Sequence, residues 1–232
     1  MRFLFLLVGW MVASSSGWAT DIVDVLEQSQ RARLSTRVGA AADSPRAARI
    51  RASFERLIAK APPSHPVELR VMEGGVQAEA MLDRLLVVGE ATGDLPENER
   101  LLLLAHELSH ISLDHWHALC ALYRRHIPGE VRPETTDPVA GALGHEAHDL
   151  SYAHEYAADA AGYALVHALG VGLDDAVSLL SRQALMHDTA THPATRRRIA
   201  QLRALDMRLE EQTRLNAGAP AQRVVGAPPA QP

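Results

Sequence analysis

The chain has 232 residues, 47% hydrophobic and 22% charged, with a formal net charge of -5. That composition suits one soluble globular domain with a substantial core, and it argues against a nucleic-acid-binding surface or any other polyanionic partner. Cys120 is the only cysteine, so no intrachain disulfide staples the fold, whatever the redox compartment.

The first residues, "MRFLFLLVGWMVASSSGWATD", carry one positive charge, an apolar segment over 3–13, and small residues that allow cleavage after Ala19. This is the pattern of a secretory signal peptide over 1–19, and its apolar segment is too short to span a bilayer comfortably. The expected mature protein is periplasmic or secreted, has no stable membrane span after cleavage, and forms one domain over 20–215. Residues 21–61 have helical periodicity with a break at Ser44-Pro45, which predicts two helices. Over 66–92 the runs "VELRVM", "VQAEAML" and "RLLVVGEA", separated by Gly74-Gly75 and Asp83-Arg84, predict a small meander of strands.

One long helix is expected across "GDLPENERLLLLAHELSHISLDHWHALCALYRR", with Asp94 as N-cap, Pro96 in the first turn, and Leu101, Leu104, Leu108 and Ile111 as its core stripe. After Pro128, "GEVRPETTDPVAGALG" reads as a loop or lid, followed by helices from about 151 to 169, 173 to 186 and 193 to 211. The end of the chain, 216–232, has the composition of a disordered tail. Together these elements predict an α+β fold, mainly α.

The stretch "HELSH" matches HExxH. On a helix His106 and His110 project from one face, where two imidazoles can hold one Zn²⁺, while Glu107 is offset toward the site of a catalytic water. The leucines in front sink the helix into the core and so hold both rings rigid. Twelve histidines make a chance match easier, but the motif sits on a helix with its own cap and core stripe. Leu113 and Trp116 stand where the metzincin pattern requires glycine and a third histidine, which excludes that class. A carboxylate from a second helix is the alternative. "SYAHEYAADAAGYAL" offers Glu155 as the third metal ligand and Asp159, one turn on, as an acceptor for a ligand imidazole. The small residues around these acids also suit close packing against another helix.

HExxH, then ExxxD within "EYAADAAG", then "THPATRRRIAQL", resembles the gluzincin metallopeptidases of the HtpX and CAAX prenyl endopeptidase type over about 66–205. The resemblance implies a zincin-like domain with the small β-meander packed against the zinc-binding helix. It also implies one Zn²⁺ on His106, His110 and Glu155, Glu107 as catalytic base, and Asp159 behind the ligands. His115, in "HISLDH", falls where the family often carries a histidine, and is taken as structural. Pro193 suits the first position of a helix, with His192 as its cap. By similarity to the family, His192 approaches the zinc and Arg198 helps hold substrate or the developing oxyanion; the competing reading is a surface helix start with solvated arginines. His145, His148 and His154 form a further cluster, read as unremarkable loop histidines rather than replacement ligands. The chain departs from the family in lacking transmembrane helices beyond its signal, and "VQAEAMLDRLLVVGEA" only loosely matches the usual strand ahead of the zinc helix.

The function expected from the resemblance is zinc-dependent cleavage of unfolded or misfolded envelope proteins, with envelope assembly machinery as a possible partner. The rival is a zinc-containing chaperone or adaptor that binds such proteins without cutting them. An intact Glu107 argues against the rival, since a purely structural zinc site has no use for a carboxylate there.

Overall fold

The computed structural model describes residues 21–183, 187–189 and 191–218. The expected signal segment and the chain beyond residue 218 lie outside them. In chain order the elements are α1 (Ile22–Ser35), α2 (Pro45–Lys60), β1 (Glu68–Met72), β2 (Ala78–Met81), β3 (Leu85–Gly89), α3 (Glu97–Ser112), α4 (His115–His126), a short α5 (Pro133–Thr136), α6 (Ala140–His167), α7 (Leu173–Gln183) and α8 (Thr195–Gly218). The fold is α+β and mainly α. No helix among the described residues is long and apolar enough to cross a membrane.

Helix α3 is the axis of the core. Every residue from Glu99 to His106 is buried, so this helix is enclosed on all sides rather than amphipathic. Its polar residues are accordingly paired. Arg100 donates to Ser53 Oγ (2.8 Å) on α2 and to the Leu95 carbonyl (2.9 Å). Glu99 accepts from Ser178 Oγ (2.8 Å) and Arg182 Nε (2.7 Å) on α7. Helix α2 lays Ile50, Phe54 and Leu57 against this axis, and its start is fixed by Ser44, whose hydroxyl accepts the Ala47 amide.

The single long helix expected across 93–125 is two helices. Asp114 adopts φ +60°, a left-handed conformation that aspartate tolerates better than most residues, and the chain turns there between α3 and α4. The expected cap is also displaced. Pro96 is the N-cap residue of α3, whereas Asp94 forms ion pairs with Arg46 (2.6 Å) and Arg49 (3.0 Å) of α2.

All three strands form where expected, but in the order β1-β3-β2, with β1 parallel and β2 antiparallel to β3. A simple meander would have put β2 in the centre. The residues explain the difference: "LLVVG" of β3 is buried at every position, whereas "AEAM" of β2 carries Glu79 and suits an edge. Helix α3 packs beside that edge strand.

Helix α6 begins at Ala140, well before the expected start, because Leu143, Ala147 and Leu150 join a second core with Ile22 and Val23 of α1 and the buried free thiol of Cys120 on α4. The irregular segment shrinks to α5 and the 3₁₀ turn Asp137–Val139. Helix α8 starts at Thr195, two residues later than expected. Asp188 Oδ1 accepts the Ala194 amide (2.8 Å), and Thr189 and His192 close a turn on each other, which keeps His192 and Pro193 outside the helix. It continues to Gly218, into the stretch expected to be tail.

The α3–α6 crossing is close because Gly162 has no side chain. A Cβ there would lie 2.9 Å from the His106 amide nitrogen and 3.0 Å from the Ala105 carbonyl carbon. Gly162→Ala is expected to push α6 away from α3 and to cost about 1–3 kcal/mol, measured as a lower denaturation midpoint in urea. An unchanged midpoint would show that the crossing has slack.

Candidate metal centre

The crossing of α3 and α6 brings three side chains to one point. His106 and His110, one turn apart on α3, face each other through Nε2 atoms separated by 3.2 Å. Glu155 of α6 reaches both, with Oε1 3.4 Å from His110 Nε2 and Oε2 3.7 Å from His106 Nε2. One ligand atom from each of the three lies within 4.8 Å of the others.

What surrounds these rings determines which nitrogen carries the proton. His106 Nδ1 lies 3.0 Å from Asp159 Oδ1, one turn beyond Glu155. A carboxylate can only accept, so the proton sits on Nδ1 and Nε2 presents a lone pair. Asp159 is itself held by Arg198 through Nε (2.7 Å) and Nη2 (2.6 Å). Burial opposes its ionisation, but the bonds from Arg198 and His106 hold its carboxyl well below the usual carboxylate range. Arg198 Nη2 also stands 3.4 Å from His106 Nδ1, but both are donors in this arrangement, so Asp159 is the partner of each.

His110 has a different support. Its Nδ1 is 2.9 Å from Nδ1 of His115, the first residue of α4, and His115 stacks on His154 of α6 with ring centroids 3.8 Å apart. Burial, with His154 and His110 beside it, lowers the His115 pKa to about 3, so the ring is neutral, and its Nδ1 can serve as the acceptor for His110 Nδ1–H. With the His110 proton on Nδ1, its Nε2 can present a lone pair to a metal ion as well.

Two ring nitrogens and a carboxylate converging on one point repel unless positive charge lies among them, as ring protons or as a metal ion. Glu155 Oε2 is buried without a hydrogen-bond partner among the described residues, a costly arrangement for a carboxylate. Burial opposes a charged Glu155, yet His110, His106 and Arg198 keep its pKa below the ordinary value, so the negative charge stays. Burial likewise disfavours a charged His106, but Asp159 and Glu107 outweigh it and raise its pKa: the pocket favours positive charge. Two nitrogens each at the usual zinc distance from one tetrahedral ion stand about 3.3 Å apart, which the observed 3.2 Å matches. The donor set is of the His₂Glu type that holds Zn²⁺ with one position left open.

Glu107 is adjacent to the trio but outside it. Its Oε1 is 4.0 Å from His106 Nε2, and its Oε2 accepts the Ala80 amide of β2 at 2.8 Å. Burial raises its pKa, partly offset by His106 and His110, which moves it toward the range useful to a general base. His192, in the turn before α8, brings Nε2 to 3.6 Å from Glu155 Oε1 while its side chain stays about half exposed, at 47%. Arg198, expected near substrate oxygen, is buried against Asp159, with Nη1 3.5 Å from Glu155 Oε2. A cleft of 440 Å³ opens over Glu107, His110, Glu155 and His192, bounded by the β2 edge.

His115, expected to be structural, stands behind a ligand ring, and His154, expected to be an unremarkable loop histidine, stacks on His115 from α6. Both stand next to the site, and neither has a spacing that distinguishes it. The available signals were the position of His115 in "HISLDH", where the family often carries a histidine, and the adjacency of His154 to Glu155 on the same helix.

Residues 133–206 match the model of Peptidase family M48. The matched stretch begins beyond His110 and covers less than half of the chain, but it takes in Glu155, Asp159, His192 and Arg198. It supports a metallopeptidase. No curated protein matches the chain.

Proposed function

We propose that the protein is a zinc-dependent endopeptidase that hydrolyses peptide bonds in unfolded or misfolded envelope proteins. The observation that carries the reading is the buried Glu155 Oε2, without a hydrogen-bond partner among the described residues, beside two imidazole nitrogens 3.2 Å apart. His106, His110 and Glu155 hold the ion, which when bound supplies Lewis-acid polarisation of the scissile carbonyl and a more acidic water. Glu107 takes the proton of the attacking water and returns it to the leaving amine nitrogen. Asp159 and His115 keep the two ligand rings aimed and in the right tautomer, and Arg198 steadies Asp159. His192 lines the cleft, half exposed and 3.6 Å from Glu155 Oε1, which supports a role for it in meeting the substrate carbonyl.

The preference for unfolded chains follows from β2. It is an edge strand bordering the cleft, and its Ala80 amide points at Glu107, away from β3. An extended peptide can add beside it, which a folded protein cannot offer. The "MRFLFLLVGW" leader supports a periplasmic or secreted location, and with it substrates from the envelope.

Incubation of the purified mature protein with casein tests the proposal. Cleavage should stop with a chelator and return with added zinc. Binding of casein without cleavage, or cleavage that ignores the chelator, would favour the chaperone or adaptor reading instead.

A further inference from the structure

The outer edge of β2 is closed at one end. In its antiparallel ladder the Gly89 amide donates to the Gln77 carbonyl (2.9 Å), so Gln77, Glu79 and Met81 turn their backbone groups to β3. Ala78, Ala80 and Leu82 turn theirs outward. Two of these outward amides are engaged: Ala80 donates to Glu107, and Leu82 donates to the side-chain oxygen of Gln30 on α1. That oxygen occupies the place where a carbonyl of an added strand would accept. Beside it Glu79 pairs with Arg37 at 2.9 Å and also with Arg33, from just beyond α1 and from its last turns. Gln30, Arg37, Glu79 and Leu82 all line the cleft over the metal centre.

A latch that swings aside for substrate needs a loosely held helix, and α1 is fixed on both sides of Gln30. At its start Ile22 and Val23 are buried in the second core, and the Asp21 carboxylate accepts the Val23 amide (2.8 Å). Near its end Leu34 packs on Met81, Leu85 and Val87 under the sheet. The chain beyond pairs with β1, where the Ala40 amide donates to the Val71 carbonyl (3.0 Å) and the Glu73 amide to the Val38 carbonyl (2.8 Å). The helix therefore stands as a fixed wall. Glu107 marks the reacting point opposite Ala80, and Leu82 follows about 7 Å further along an extended strand.

We infer that Gln30 is a specificity-determining residue: with Arg37 and Glu79 it ends the substrate cleft at Leu82 and limits an extended peptide to about two backbone-paired residues on that side of the scissile bond. The inference rests on the peptidase reading. A longer segment on that side has to turn away from β2, so chain ends and flexible loops fit the cleft, and a continuous extended strand fits only on the other side of the cut.

The test has two arms. In the first, a peptide spanning a cut in casein is lengthened one residue at a time on either side of the cut, and kcat/KM is followed for the zinc-loaded full chain. On one side the gain should stop after about two residues, and on the other it should continue. Gln30→Ala frees the Leu82 amide, so the ratio of kcat/KM for a peptide with about four residues on the limited side to one with about two should rise about two- to tenfold, the value of one hydrogen bond. Gln30→Glu still accepts from Leu82 and should keep the parental ratio. In the second arm, hydrogen exchange at the Leu82 amide is read by NMR in Glu107→Gln, with and without a decapeptide from casein. The amide should be protected without peptide, lose protection when Gln30→Ala is added, and regain it in that double variant with the decapeptide. A gain that continues equally on both sides, or a parental ratio in Gln30→Ala, overturns the wall and leaves the peptidase reading standing. A Leu82 amide that exchanges freely while Gln30 is present also overturns the wall. Regained protection without any cleavage by the parent supports the wall and sinks the peptidase reading. The absence of both overturns both.

Discussion

Glu107→Gln is expected to retain zinc at the level of the parent protein and to lose about 10²–10⁴-fold in the rate of peptide cleavage. The geometry separates the two effects. Glu107 is not among the three ligand side chains, and its Oε1 stands 4.0 Å from the nearest ligand nitrogen. Its structural task is to accept the Ala80 amide, which a glutamine carbonyl oxygen performs equally well. What glutamine cannot do is take up a proton at neutral pH. The measurement pairs zinc content, by elemental analysis of the purified variant, with initial rates on casein. Parental activity in the variant would remove Glu107 from the chemistry. Loss of zinc would show instead that it belongs to the metal set.

Much of this centre was legible in the sequence because its main parts are local. The spacing of His106 and His110 is one helical turn, and that of Glu155 and Asp159 is another, so each pair shares a face whatever the rest of the chain does. The small residues on α6 were a sound signal of close approach, and Gly162 against His106 is its physical form. What could not be read was how local pieces meet. The break at Asp114 depends on a left-handed residue that no glycine announces, and it is this turn that starts α4 at His115 and swings that ring behind His110. The strand order depends on competition among three runs for the centre of one sheet, which β3 wins by being apolar on both faces. The extension of α6 back to Ala140 depends on contacts with α1 and α4 that lie far away in the sequence. Each of these is a tertiary preference overriding a weak local one.

Glu155 and Asp159, one turn apart on α6, are expected to fail in opposite ways, and the contrast tests the proposed division of labour between them. Glu155→Ala removes a ligand but leaves Arg198 fully engaged with Asp159, so the fold should persist while zinc binding collapses. The readout is thermal. Zinc present at about 100 times its dissociation constant stabilises the parent by roughly 2.7 kcal/mol, and that increment should vanish in Glu155→Ala at the same zinc concentration. Asp159→Ala keeps all three ligands but strips Arg198 of its hydrogen-bonded partner at a position only 5% exposed. Arg198 then keeps only the looser ion pair of its Nη1 with Glu155 Oε2 at 3.5 Å; stripping a buried charge of its main partner costs up to about 3–5 kcal/mol, so this variant should unfold at lower denaturant even without metal. Its zinc affinity should fall by only about 10–100-fold, since the ligand ring loses its orientation and not its nitrogen. If Glu155→Ala still gained the parental increment from zinc, the ion would have to be held without the α6 carboxylate, and the proposed centre would be wrong.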